Sequence, residues 1–180
     1  MIENGPICQQ CKNTDFYFDK AISAVKYQKD VKTLIYKLKY SGHTYLATTI
    51  GHIMADKLKQ ENIEADIIIP VPLHRSKERK RGFNQAILIS KYMVGKIDIS
   101  LDINALTRIK NTRAMHNLTR GERLENVEGA FEVANKEAIA NKNILLIDDI
   151  FTTGSTVNSC SKELINNGAK SVTVMTFARD

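Results

Sequence analysis

The sequence predicts an α/β fold: a mostly parallel sheet flanked by helices. Three observations carry this. Apolar runs of strand length alternate with stretches whose apolar residues recur every three or four positions. Two of those runs, Ile67–Ile69 and Ile144–Ile147, are unbroken Ile and Leu, the pattern of strands covered on both faces. Gly or Pro stands at the junctions between segments.

The elements follow in order. Residues 1–19 lack periodicity and read as an N-terminal appendage, leaving 20–180 as one domain. Lys20–Tyr27 predicts a short strand. From Lys29, the set Val31, Leu34, Ile35 and Leu38 marks an amphipathic helix stopped by Ser41-Gly42. A second helix places Leu46, Ile50, Ile53, Met54 and Leu58 on one face. Ala65–Val71, bounded by Pro70 and Pro72, is a buried strand ending in a turn. Phe83–Gly95 is a helix capped at its start by Asn84 or Gly82. After a variable section come the strand Asn143–Asp148, a helix Ser155–Asn167 stopped by Gly168, and a closing strand Ser171–Phe177. In sheets of this kind ligands bind beyond the carboxyl ends of the strands. That directs attention to His74–Gly82 and Asp148–Thr156.

Composition narrows the setting. The chain has 180 residues, 43% hydrophobic and 26% charged, which excludes wholesale disorder. No apolar run approaches the ~18 residues of a membrane helix, and no basic-then-apolar leader opens the chain, so a cytoplasmic protein without membrane insertion is expected. Three cysteines fit a reducing compartment better than a disulfide scaffold. The net charge of +6 is concentrated: residues 71–123 carry 12 Lys/Arg against 4 Asp/Glu. Such a segment implies an anionic partner, either small-molecule phosphates or a nucleic-acid backbone, or else a solvated basic face.

The string Ile144-Leu145-Leu146-Ile147-Asp148-Asp149-Ile150-Phe151-Thr152-Thr153-Gly154-Ser155-Thr156 has a physical reading at each part. A buried strand delivers two carboxylates, which repel and so need cations or hydroxyl donors nearby. Small hydroxyl residues around a glycine then lead into a helix N-terminus, where backbone N–H groups, hydroxyls and the helix dipole form a monophosphate cradle. Vicinal hydroxyls for the carboxylates and a phosphate for the loop describe a ribose 5-phosphate. The Gly-Lys-Ser/Thr of a Walker loop is absent. A receiver domain would place its paired aspartates early, with a further aspartate downstream. An acidic turn that merely caps a helix is the remaining alternative.

This string resembles the PRPP-binding motif of type I phosphoribosyltransferases. The resemblance implies that fold, with a small hood, and a Mg²⁺-PRPP ligand. It assigns Asp148 and Asp149 to the ribose hydroxyls and Thr152, Thr153, Gly154, Ser155 and Thr156 to the 5-phosphate. The second segment, Pro70-Val71-Pro72-Leu73-His74 followed by Arg81-Gly82-Phe83-Asn84-Gln85, resembles the ComF/GntX family. Further pieces agree: Lys37–Gly42, Leu106-Thr107-Arg108, Leu118–Arg123 with Asn126, and Gly129-Ala130-Phe131. In relatives the turn at Val71, Pro72 and Leu73 contacts the pyrophosphate, often through a non-proline cis peptide. Between Arg75 and Arg81 lie five Lys/Arg residues. With Gly82 as a joint they read as a mobile loop closing over a polyanion, Arg75 on the pyrophosphate and Arg79 and Arg81 as closing, catalytic cations. Its alternative is an exposed nucleic-acid or solvent loop.

Two departures from the family stand out. Met115 occupies the position of a usual glutamine. Cys8-Gln9-Gln10-Cys11 has zinc-knuckle spacing, yet a closed zinc site needs four ligands, and relatives generally supply two such pairs. Cys8 and Cys11 are therefore half of a Zn²⁺ site at most. Cys160 reads as a buried helix residue. Of the four histidines only His74, in the basic segment, is a functional candidate. Two functions remain open. One is an enzyme transferring 5-phosphoribose from PRPP to a nitrogen nucleophile with Mg²⁺. The other is a PRPP-sensing or DNA-handling protein without turnover, since the resemblance links the family to competence, with single-stranded DNA and other competence proteins as partners. Against the second, residues 71–123 offer only Phe83 and Tyr92 as stacking platforms.

Overall fold

A computed structural model describes residues 16–113 and 118–180. The chain runs β1 (Lys20–Lys26), α1 (Lys29–Tyr40), α2 (Leu46–Gln60), β2 (Ile67–Pro70), α3 (Arg75–Arg81), α4 (Gln85–Val94), β3 (Ser100–Leu101), β4 (Leu106–Arg108), α5 (Arg120–Val127), β5 (Phe131–Val133), α6 (Lys136–Ile139), β6 (Asn143–Phe151), α7 (Ser155–Asn166) and β7 (Ser171–Arg179). None of the described helices is long and apolar enough to cross a membrane.

Five strands form one sheet in the order β1-β7-β6-β2-β3, and every neighbouring pair is parallel. β4 and β5 pair antiparallel in a separate two-stranded sheet. The unbroken apolar runs feed both faces of the main sheet. Leu145 and Ile147 of β6 pack with Ile68, with Ile35 and Leu38 of α1, with Ile50 and Met54 of α2, and with Ile89 and Met93 of α4. Ile144 and Leu146 pack the other way, with Ile69, with Val157, Cys160 and Leu164 of α7, and with Leu106 and Phe131 of the small sheet. Truncating one of these fully buried side chains to alanine costs about 2–5 kcal/mol, so either face alone is a large share of the stability.

The crossovers position the site. After β2 the chain passes through α3 and then α4, which packs on one face, to reach β3, and after β6 it passes through α7 on the other face to reach β7. β2 and β6 are neighbours, so their following segments diverge and leave a crevice at the carboxyl ends of the two strands.

Several expectations change. The segment predicted as a mobile loop is the helix α3. His74 caps it, its Nδ1 accepting from Ser76 N at 3.2 Å; Glu78 lies in its first turn and Arg79, Lys80 and Arg81 in its last. Those charges complement the helix dipole, and Gly82, at φ +87°, ends the helix in a left-handed turn. The basic composition thus favours a helix as much as a phosphate lid, and His74 has a structural task. The strand predicted to end at Asp148 continues to Phe151, so both aspartates lie within β6. Ile53, predicted on the buried face of α2, is 39% exposed. Of the appendage, residues 16–19 pack on the domain: Tyr17 N donates to Asn158 Oδ1 at 2.7 Å, and Phe18 meets Phe151 edge-on at 6.2 Å. Asn84 rather than Gly82 caps α4, its Oδ1 accepting from Ala86 N at 2.8 Å. Cys160 is fully buried, as the sequence suggested.

Candidate functional site

β2 stops at Pro70, opposite Ile147, while β6 runs on. Asp148 and Asp149 therefore sit where β6 has lost its β2 partner. Asp149 is 4% exposed, and both its carboxylate oxygens have polar partners. Gln85 Nε2 donates to its Oδ1 at 3.2 Å, and the Lys39 ammonium pairs with its Oδ2. Burial pushes the Asp149 carboxyl up, but the Lys39 charge and hydrogen bond, with hydrogen bonds from Asp148 and Gln85, outweigh it and hold the carboxyl below its usual range. Asp148 goes the other way. Burial and then the neighbouring Asp149 push it well above the ordinary carboxylate range. Its Oδ1 accepts from Asp149 N at 2.8 Å. Burial would also lower the Lys39 pKa, but the two aspartates and the hydrogen bond to Asp149 raise it. The lysine stays charged.

The hydroxyl–glycine loop, Thr152–Thr156, lies at the end of the same strand. Gly154 is buried at φ +77° and leads directly into α7. Its left-handed backbone is what swings the chain from strand to helix. Thr153 Oγ1 and Ser155 Oγ are 2.7 Å apart, and Ser155 N points to Thr153 Oγ1 at 3.4 Å. Thr152 is exposed, Thr153 and Thr156 are half-buried, and Ser155 is buried. The first turn of α7 contains no acidic residue to compete with an anion.

Across the crevice, the turn after β2 is fixed on both sides: Val71 N donates to Ile147 O at 2.8 Å, and Asn84 Nδ2 donates to Val71 O at 3.0 Å. Val71 is buried, and Pro72 and Leu73 are half-buried. No cis peptide bond occurs among the described residues. The cations of α3 divide. Arg75 and Arg79 are exposed and line an open hollow of about 400 Å³ with Glu78 and Gly82. Arg81 turns inward: it donates to Gln85 Oε1, and its guanidinium lies 5.3 Å over the Tyr40 ring.

Sequence reasoning missed three cations here. Lys39 carried a signal: it falls four residues after Ile35, on the buried stripe of α1. Lys77 donates to Thr112 O at 2.7 Å, and Arg108 donates to Thr112 Oγ1 while lying 5.2 Å over the Phe131 ring. Burial, then the charges of Arg108 and Arg81, hold the Lys77 ammonium below its usual range. No sequence spacing announces that pair, because a long connection separates α3 from β4. Cys8, Cys11, Met115 and His116 lie outside the described residues. Among the described residues no group of three or more His, Cys, Asp or Glu side chains stands together as a metal cage.

An acidic pair, a hydroxyl–glycine loop at a helix N-terminus and a basic helix thus stand around the ends of β2 and β6. Residues 42–180 match the phosphoribosyl transferase domain family. The chain belongs to that family. Within it the chain is of the ComF kind. It is 29% identical over 178 residues to Competence protein F of Haemophilus influenzae, covering 96% of this chain and 78% of that protein. It is 30% identical over 189 residues to Competence protein ComFC of Streptococcus pneumoniae, covering 98% and 81%. The fold is that of type I phosphoribosyltransferases, with the parallel sheet and flanking helices described above. Among solved structures, a glutamine phosphoribosylpyrophosphate amidotransferase of B. subtilis shares 17% identity over 71% of this chain and 25% of that one, with a TM-score of 0.44.

Proposed function

We propose that this phosphoribosyl transferase domain is a cytoplasmic protein that binds PRPP in the crevice between β2 and β6. The observation that carries the reading is the succession, on one strand, of the acidic pair and the Gly154 loop at the start of α7. The acids face the ribose hydroxyls. Thr152–Thr156 holds the 5-phosphate through hydroxyls, backbone N–H groups and the helix end. The Val71–Leu73 turn and the cations of α3 take the pyrophosphate, with Arg81 nearest the acids and Arg75 and Arg79 at the rim. The reaction class that fits is phosphoribosyl transfer. The C1–O bond to pyrophosphate breaks, a bond from C1 to a nitrogen nucleophile forms, and the nucleophile's proton leaves. Positioning and charge stabilisation would supply the acceleration. The described residues form no cage of their own, and Mg²⁺ suits a site where the substrate phosphates bring most of its ligands, with Asp148 as the carboxylate at hand. When bound, it would neutralise the leaving pyrophosphate.

The test is calorimetric titration with PRPP and Mg²⁺ of the wild type and of the Asp148→Asn/Asp149→Asn double variant. Binding by the first and not by the folded second supports the reading. Absence of binding by a folded wild type overturns it.

A second reading, a competence protein that handles single-stranded DNA without turnover, gains from one observation. The stacking platforms lacking in 71–123 come from α1: Tyr36 and Tyr40 are 60% and 62% exposed and 5.1 Å apart, and Tyr40 lies against Arg81. Steep salt dependence, spread over many Lys and Arg substitutions, would favour DNA; dependence on Asp148 and Asp149 favours PRPP.

A further inference from the structure

Arg81 stands between two places that can each hold its charge. Its guanidinium lies 5.3 Å over the Tyr40 ring of α1 and donates to Gln85 Oε1. Gln85 is buried at the start of α4, and its Nε2 donates in turn to Asp149 Oδ1 at 3.2 Å. Among the described residues no carboxylate forms an ion pair with Arg81. Two other cations, Lys39 and Lys77, lie close enough to repel it. A guanidinium with neutral partners and like charges beside it is poised for an anion, because an exposed aromatic ring holds it only weakly. The tyrosine face has a capacity of its own. Tyr36 and Tyr40 are exposed, with ring centroids 5.1 Å apart, and unpaired bases stack on such rings. A flat ligand cannot share with the guanidinium the ring face that Arg81 covers.

We propose that Arg81 is a two-position switch coupling the crevice to the tyrosine face of α1, and that this face takes a planar ring of the nucleobase class. This rests on the PRPP-binding reading, which puts pyrophosphate beside Arg81. Without a polyanion the guanidinium rests on Tyr40. With one in the crevice it turns to the phosphate oxygens, which its planar fork grips two at a time. Gln85 is the pivot, since arginine has five N–H donors and one can stay on Oε1 while others move. Tyr40 is then free to stack. Both ligands favour the same position of Arg81, so each raises the affinity for the other, and by the same factor.

The experiment uses the whole chain with its six tyrosine rings labelled with carbon-13, read by nuclear magnetic resonance. The Tyr36 and Tyr40 signals are assigned with Tyr36→Phe and Tyr40→Leu. Adenosine, a base without a phosphate, is titrated with and without PRPP and Mg²⁺. PRPP should shift the Tyr40 signal and tighten adenosine binding about two- to fivefold, the worth of a cation–π contact at an exposed site. Arg81→Gln, which lacks the cover, should bind adenosine in the tightened form whether or not PRPP is present. Tyr40→Leu should lose adenosine, yet bind PRPP about two- to fivefold more tightly, because Arg81 has no resting place to leave. A tyrosine that merely packs would not produce that gain. Tyr40→Leu alters an exposed position, so it covers the case in which Arg81→Gln fails to fold. PRPP that binds but leaves adenosine affinity unchanged would overturn the proposal. So would a Tyr40→Leu protein that takes adenosine as the wild type does, or that takes PRPP no more tightly. A wild type that takes no PRPP sinks the ribose-phosphate reading instead. Inorganic pyrophosphate with Mg²⁺, run in parallel, then decides the switch, and a Tyr40 signal that it leaves unmoved overturns it.

Discussion

Replacing Gly154 by alanine separates two demands that the loop before α7 makes on one residue. The backbone there has φ +77°, and a Cβ would stand 2.8 Å from Phe151 Cζ, 3.3 Å from Phe151 Cε2 and 3.3 Å from Phe16 Cε1. Left-handed backbone costs an alanine about 1–2 kcal/mol. Displacing a packed ring adds about 1–3 kcal/mol, less the ~0.5–1 kcal/mol gained by stiffening the unfolded chain. The net expectation is a loss of about 2–3 kcal/mol, or roughly 5–10 °C in Tm for a chain of this size. Gly82 is the control, since it has φ +87° with nothing within 4 Å of a Cβ. Gly82→Ala carries only the backbone cost and should lose about 1 kcal/mol. The assay is thermal unfolding of both variants and wild type, with and without ribose 5-phosphate. The ligand should raise the Tm of wild type and of Gly82→Ala, and leave Gly154→Ala unmoved. If Gly154→Ala falls no further than Gly82→Ala, the ring yields freely and the argument from close approach is wrong.

Other outcomes test other parts of the fold. A Cβ on Gly51 of α2 would stand 2.8 Å from Ile89 O and 2.8 Å from Tyr92 Cβ of α4. Gly51→Ala should therefore lose about 1 kcal/mol in urea, where an exposed helix position would gain about as much; a gain refutes the tight helix crossing. The Asp148 carboxyl is pushed above its ordinary value of 3.8, so the stability it contributes is full below that pH and lost as pH rises through the raised value. Asp149, held below 3.8, contributes stability above that pH and loses it as pH falls through the lowered value. Asp148→Asn should thus flatten the alkaline-side decline in unfolding free energy and keep the acid-side loss; an unchanged profile counts against the assignment. Burial, then the charge of Asp148, pushes the Cys160 thiol well above its usual range. Peptide mapping should find Cys160 unalkylated by iodoacetamide in the native protein and modified once urea unfolds it.

Much of this was legible in the sequence, for identifiable reasons. Ile67–Ile69 and Ile144–Ile147 announce central strands because only a strand covered on both faces needs apolar residues at consecutive positions. The loop from Thr152 to Thr156 is legible because Gly between hydroxyl residues before a helix has few other uses. Other features depend on tertiary placement. Arg75–Arg81 is dense in charge and therefore resembled a loop, yet Glu78 and the basic residues at its end suit the two poles of a helix. The partner of Asp149 lies 110 positions earlier in the chain, and a lysine on an amphipathic helix normally reads as a solvated boundary residue. The pairing of β4 with β5 joins segments of three residues each, too short for alternation to register.

The strand order also sets a schedule. Among the described strands β1 pairs with β7 alone, so Lys20 must wait for Thr173 before its edge of the sheet can close. β6 likewise has β7 as one of its two neighbours. A chain emerging from the ribosome therefore holds β1 unpaired until β7 has been made, and pairings this distant form slowly. The acids and the glycine loop rest on that final strand. A chain stalled before β7 can display the basic helix, but it cannot offer the finished crevice.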